Sequence, residues 1–276
     1  MTTSLRKWLN VFLFIFVLVV NYLASTGKLN RMNTGDISDM YQVLITPAGY
    51  VFSIWGLIYL FLLIFVIYQA MPKYEDAKPV KAIGPLFIIT CVTNASWLFA
   101  WHYKQFVLAE LIMICFLITL IIIMNRLYAI QKDLSLFEKR VFCLPFSVYF
   151  GWISVATIAN TSLLLVFLKW TQFGITAEIW TIILLFIIML LGLSILTLKD
   201  DKAYVWVFVW ASIGIAVKNY QTFIKVQNSQ GRLLIVVMAL IVIAFLLRNL
   251  LASYLKLVPK AKEEPVYVKK HPAKKK

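Results

Sequence analysis

Side chains able to stack and hydrogen-bond gather at three places in this chain, each within a long apolar run. They are Gly49-Tyr50-Val51-Phe52-Ser53-Ile54-Trp55 with Tyr59, Asn94-Ala95-Ser96-Trp97 with Trp101, and Tyr149 and Trp152 with Ala156, Thr157 and Asn160. Large rings and amides cost more in hydrocarbon than leucine does, so they turn towards protein or a ligand. Rings supply flat apolar faces and amides a few hydrogen bonds, a combination suited to a flat, mostly apolar guest. Other chemistry finds little support. Glu110 is the only acidic residue well inside an apolar run, and its place at the outer end predicts that it snorkels to the interface. His102 and His271 have no partner at metal-ligand spacing, and Cys91, Cys115 and Cys143 form no C-x-x-C pair. No nucleophile–base pair and no glycine-rich phosphate loop is present. Asn94-Ala95-Ser96 and Asn160-Thr161-Ser162 match the glycosylation pattern, but both lie in expected spans, where transfer does not occur.

The elements that carry these residues must be membrane helices. Of 276 residues, 62% are hydrophobic and 14% charged, whereas soluble domains run near roughly 45–50% and 25%. At about 20 residues per span, eight apolar segments are predicted. They are Trp8–Ala24, Tyr50–Ala70, Ile83–Trp101, Phe106–Met124, Val141–Val166, Ile179–Leu198, Tyr204–Val217 and Leu233–Leu251. The fold class is therefore all-α, a polytopic membrane bundle. The seventh segment is short for a span. The first has the outline of a secretory leader, with Arg6 and Lys7 before the apolar stretch and Ala24-Ser25-Thr26 after it. Its length and its Asn21-Tyr22 ending favour a retained helix.

Charge checks the count. Eight spans place both termini and the even-numbered loops on one side, and that side holds 20 of the 27 Lys and Arg residues. Cations collect in the cytoplasm, so both termini of this integral, multi-pass protein are expected there. Without the nine cations from Arg248 onward the balance is still 11 to 7. Of the net charge of +15, the tail, residues 256–276, carries +6, and it reads as disordered and solvated. Each tail lysine close to anionic lipid gains about 1 kcal/mol. Membrane lipid is thus an expected partner, and nucleic acid is not, because no folded basic face exists to hold a duplex.

Spacing places the three clusters on helix faces. Phe52, Trp55 and Tyr59 fall at i, i+3, i+7, as do Asn94, Trp97 and Trp101; Trp152, Ala156 and Asn160 fall at i, i+4, i+8. With the orientation above, all lie in the mid-to-outer part of the membrane, enclosing a shared void. Above them runs the longest external loop, residues 25–49, where Pro47 and Gly49 suit a turn into the second helix. A loop of that length over a cavity reads as a lid. Trp8, Trp170 and Trp180 read as interface anchors.

These residues resemble the translocator protein/tryptophan-rich sensory protein (TspO/MBR) family. Pro47-Ala48-Gly49-Tyr50-Val51-Phe52-Ser53-Ile54-Trp55-Gly56-Leu57-Ile58-Tyr59 is similar to its second-helix signature, with Tyr50 in place of a tryptophan. Asn94 and Trp97 match its third helix; Tyr149, Trp152, Ala156, Thr157 and Asn160 match its fifth. The proline expected directly before the fifth-helix tyrosine is displaced to Pro145. The match covers roughly residues 8–166, and three further spans make the chain similar to the extended, TspO/MBR-related branch. The resemblance implies a five-helix domain (1–166, with the lid), then three added helices (167–255) and the tail (256–276). It also implies a pocket for porphyrins or sterol-like molecules, and a homodimer. Phe52, Trp55, Tyr59, Asn94, Trp97, Trp101, Tyr149, Trp152, Ala156 and Asn160 are then the expected ligand-binding residues.

Three functions compete on this basis. The first is a ligand-binding or sensory membrane protein that takes a tetrapyrrole and requires no cofactor. The second is a small-molecule secondary transporter, although neither an inverted repeat nor a mid-membrane ion pair is visible. The third is an enzyme; here the family's proposed photo-degradation of porphyrin would need only tryptophans and the bound ligand.

Overall fold

The structure is a computed structural model that describes residues 2–226 and, beyond them, positions 237, 239, 244, 245 and 248; the side chains of 223, 225 and 226 are not described. Apart from those five positions, the expected eighth span and the whole basic tail lie outside the described residues. Those described are mainly helical, with no strand among them. Seven long helices follow one another: α1 (Thr3–Ser25), α2 (Ile54–Ala70), α3 (Leu86–His102), α4 (Phe106–Ile130), α5 (Leu144–Phe167), α6 (Ala177–Lys199) and α7 (Lys202–Val226). A 3₁₀ turn, Gly49–Ser53, leads into α2.

Five of the described helical segments are long and apolar enough to cross a membrane. Of the other two, α3 is apolar but has only 17 residues. Helix α7 has 25 residues, where the sequence suggested a short segment; it continues through Lys218, Asn219 and Gln221. Apolarity marked only the half of α7 that is buried, so the reading ended too soon. The third helix also starts later than expected. Gly84, at φ +54°, and Pro85 separate a short helix, Lys78–Ile83, from α3, because proline cannot donate inside a helix and glycine tolerates the left-handed turn.

Helices α1, α2, α5, α4 and α3 close a ring in that order, each packed on the next. Helix α7 lies on the outside of α5, and α6 packs on α7. Helix α5 is the hub. In its most apolar stretch 78% of residues are buried, against 28–44% for the other four membrane-length helices. Gly151 permits the α5–α7 approach: a Cβ there would come within 3.0 Å of the Tyr204 carbonyl oxygen and of Val207. Outer faces carry large exposed apolar side chains, such as Phe12, Phe16, Leu111, Ile118, Phe186 and Leu190. Leaving each in water forgoes roughly 1.5–3 kcal/mol of burial. Dozens of them would exceed a total stability of about 5–15 kcal/mol, so hydrocarbon must cover them. The protein is an integral, multi-pass membrane bundle.

Candidate functional site

The ring brings the three faces together, with Trp55 of α2 at their centre. Its ring stacks on Tyr59 (centroids 5.5 Å apart, planes at 14°) and leans on Trp97 of α3 at 6.4 Å. It also meets Tyr149 and Trp152 of α5 edge-on, at 6.0 and 6.1 Å. Phe52 sits edge-on to Trp152, and Trp97 stacks on Trp101 at 5.5 Å. Aromatic pairs of this geometry add about 0.5–1.5 kcal/mol each beyond burial, so the cluster is strongly cohesive.

That cohesion closes the space the sequence led us to expect. Phe52, Trp55, Trp97, Trp101, Trp152, Ala156 and Asn160 do border one chamber, but it holds only about 40 Å³. A water needs roughly 10–15 Å³ of such space, and drug-sized ligands occupy roughly 300–1,000 Å³. The rings have filled the shared void themselves. Open space lies on the other face of Trp55, as a cleft of about 640 Å³ between α1, α2 and the lid. Phe52 and Trp55 line both spaces and Tyr59 lines the cleft. Spacing along α2 could not reveal this, because helix periodicity fixes direction and not the width of the gap.

Polar groups lock the cluster in two sets. Asn94, buried in α3, donates to the hydroxyls of Tyr59 (3.2 Å) and Tyr149 (3.0 Å) and accepts from Asn21 of α1 (2.9 Å). The sequence reading missed Asn21 as a site residue; an amide inside an apolar run was the available signal. In the second set, Asn160 accepts from the Trp97 indole at 3.3 Å and donates to Glu110 of α4. The other carboxylate oxygen of Glu110 accepts from the Thr161 hydroxyl at 2.6 Å. Glu110 is 7% exposed and turns into the bundle, so the expected snorkelling is overturned. Two protein donors from α5 replace the interface water it would otherwise seek. One donor is left over: the buried Trp152 Nε1–H borders the chamber without an acceptor.

The lid is anchored on two sides. Its short helix, Thr34–Ser38, is capped reciprocally by Asn33 and Asp36. At the end of α3, the Trp101 indole donates to the Thr34 carbonyl at 3.3 Å, and His102 Nδ1–H donates to the Leu29 carbonyl at 2.9 Å. His102 Nε2 lies 3.2 Å from the Thr34 hydroxyl, and Asn30 donates to the His102 carbonyl. Helix α7 holds the other side. Lys218 pairs with Asp39, Asn219 donates to the Leu44 carbonyl, and the Trp210 indole donates to the Val51 carbonyl. Ala48 N–H donates to the Gly214 carbonyl at 3.1 Å. Contact is so close at Gly214 that any Cβ would overlap Val51. None of these α7 contacts was legible beforehand, since they join residues more than 150 positions apart.

No curated protein and no solved structure matches the chain. A family model described as TSPO-like protein matches residues 7–252, reaching through the added helices as well as the five-helix ring. With rings from α2, α3 and α5 converging under an anchored lid, that match shows that the chain belongs to the TSPO-like protein family.

Proposed function

We propose that this membrane protein is a ligand-binding or sensory member of its family whose guest is a flat, mostly apolar molecule of the tetrapyrrole class, seated in the cleft beneath the lid. The supporting observation is the cleft itself: about 640 Å³, floored by Phe52, Trp55 and Tyr59 and rimmed by Asn21, Asn33 and Ser25. Its size is in the range of organic-ligand pockets, and its few polar groups suffice to orient an amphipathic guest. Lys28, whose ammonium lies 5.2 Å from the Tyr22 ring at the cleft wall, is placed to meet an acidic substituent. The cation-rich end of the bundle faces the cytoplasm in this reading, which puts both termini there.

Titration of purified protein with protoporphyrin, followed by visible absorbance, should saturate. Trp55→Ala should weaken binding at least tenfold, and Trp152→Phe less than threefold, because Trp152 lies behind Trp55. Equal losses in the two variants would move the guest into the chamber. Unchanged affinity in Trp55→Ala would remove the cleft from the reading.

Transport is the second reading, and Glu110 favours it. A buried intramembrane carboxylate is the common mark of a coupling site. It is bound to Asn160 at the chamber and to Thr161, which lines an apolar cleft between α5 and α6. Proteoliposome uptake that collapses with the proton gradient, and is lost in Glu110→Gln, would establish it.

A further inference from the structure

At the end of the bundle away from the lid, α4, α5 and α7 leave a second pocket, of about 320 Å³. Lys139, Arg140 and Lys202 line it, above an apolar wall that includes Met124, Leu127 and Leu144. Among the described residues, none of the three cations lies within ion-pair distance of a carboxylate, although Lys7, Lys78, Lys81 and Lys218 all do. Lys199 adds a fourth cation beside the pocket, with its ammonium 5.5 Å from the ring of Tyr128, another lining residue.

The carboxylates at the pocket do not cancel these charges. Asp201 is 8% exposed and fully engaged: Oδ1 accepts from the Ser147 hydroxyl and Tyr204 N–H, and Oδ2 accepts from the Tyr128 hydroxyl at 2.7 Å. It thereby bolts α4, α5 and α7 together and fixes the pocket walls. Glu138, one turn before the pocket, is committed to the Ser135 backbone N–H and hydroxyl. Asp200 lines the pocket too, leaving cations in the majority, three to two. Lys139 and Arg140 open a π-helical turn, Lys139–Cys143, directly before α5.

From this geometry we infer that the pocket binds a phosphate group, carried either by an acidic phospholipid headgroup or by a soluble phosphate ester. Phosphate offers several acceptor oxygens and up to two negative charges. Guanidinium binds two such oxygens at once, and ammonium groups complete the shell. The site stands at the cation-rich end of the helices, where headgroups of an acidic leaflet lie. Its apolar wall would accommodate the glycerol and first acyl carbons of a lipid. It is separate from the lid cleft and does not depend on the guest proposed there.

The full-length protein, purified in detergent, is presented with phosphatidylglycerol and phosphatidylcholine of equal chain length, and the retained lipid is weighed by native mass spectrometry. Wild type should prefer phosphatidylglycerol at least tenfold. The double variant Arg140→Gln/Lys202→Gln should lose that preference while keeping wild-type helicity. Lys274→Gln/Lys275→Gln/Lys276→Gln, which lowers tail charge alone, should keep it. Displacement of the lipid by millimolar inorganic phosphate or glycerol 3-phosphate would assign the site to a soluble ester, and resistance to both would assign it to lipid. An undiminished preference in the double variant, or a preference lost only in the tail variant, would overturn the inference.

Discussion

Two spaces share the wall made by Phe52 and Trp55, and they differ sixteenfold in volume, about 640 Å³ on the lid side and about 40 Å³ on the core side. The core side is bounded by rings from α2, α3 and α5 that pack edge-to-face and stacked, each filling the gap left by the next. On the lid side the wall opposite Trp55 is a loop and a five-residue helix with small polar side chains. Aromatic density thus marks where the bundle is sealed. Space persists where a polar segment is held off the rings by anchors at its two ends.

That contrast can be broken at graded cost. The largest effect is expected from Gly214→Val, which drives a side chain into Val51 and forces α7 from the lid. Overpacking of this kind costs about 1–3 kcal/mol, seen as a lower midpoint of thermal unfolding, and it should also speed release of a bound guest. Asn94→Ala should follow, at about 2 kcal/mol, because it removes the partner of the Tyr59 and Tyr149 hydroxyls and one of the two acceptors of the Asn21 amide. If the core side is a sealed packing unit, this variant should lose stability and leave the on-rate for porphyrin unchanged; a changed on-rate would mean the rings move during binding. The smallest effect belongs to Lys218→Gln. Its pair with Asp39 is partly exposed, worth under about 1 kcal/mol, so the unfolding midpoint should barely move. Guest exchange, measured by stopped-flow, should nevertheless quicken about twofold, since only one lid anchor weakens.

The sequence made the helical class, the order of the seven long helices described and the inward direction of the rings legible. Each of these rests on local periodicity, which a single helix displays on its own. Distances between helices were not legible. The small volume beside Trp152 depends on how Phe52 and Trp55 interleave with it, and no spacing along α2 or α5 encodes that. Glu110 was misread for a related reason: its donors, Asn160 and Thr161, lie 50 and 51 residues away. Helix α7 shows the complementary error. Polar residues at its far end made the seventh segment read as short for a span. Lys218 and Asn219 are there because the lid supplies their partners.

The lid's second anchor has a consequence for biosynthesis. Residues 26–48 leave the ribosome early, yet the side chains that hold them from α7 are made some 170 positions later. Chains fold from the amino terminus as they are synthesised, so the five-helix ring can close while its cover is still fastened at one edge only. The nascent cleft therefore stays unlatched until the seventh helix is inserted, and the site takes its final shape only after the five helices of the ring.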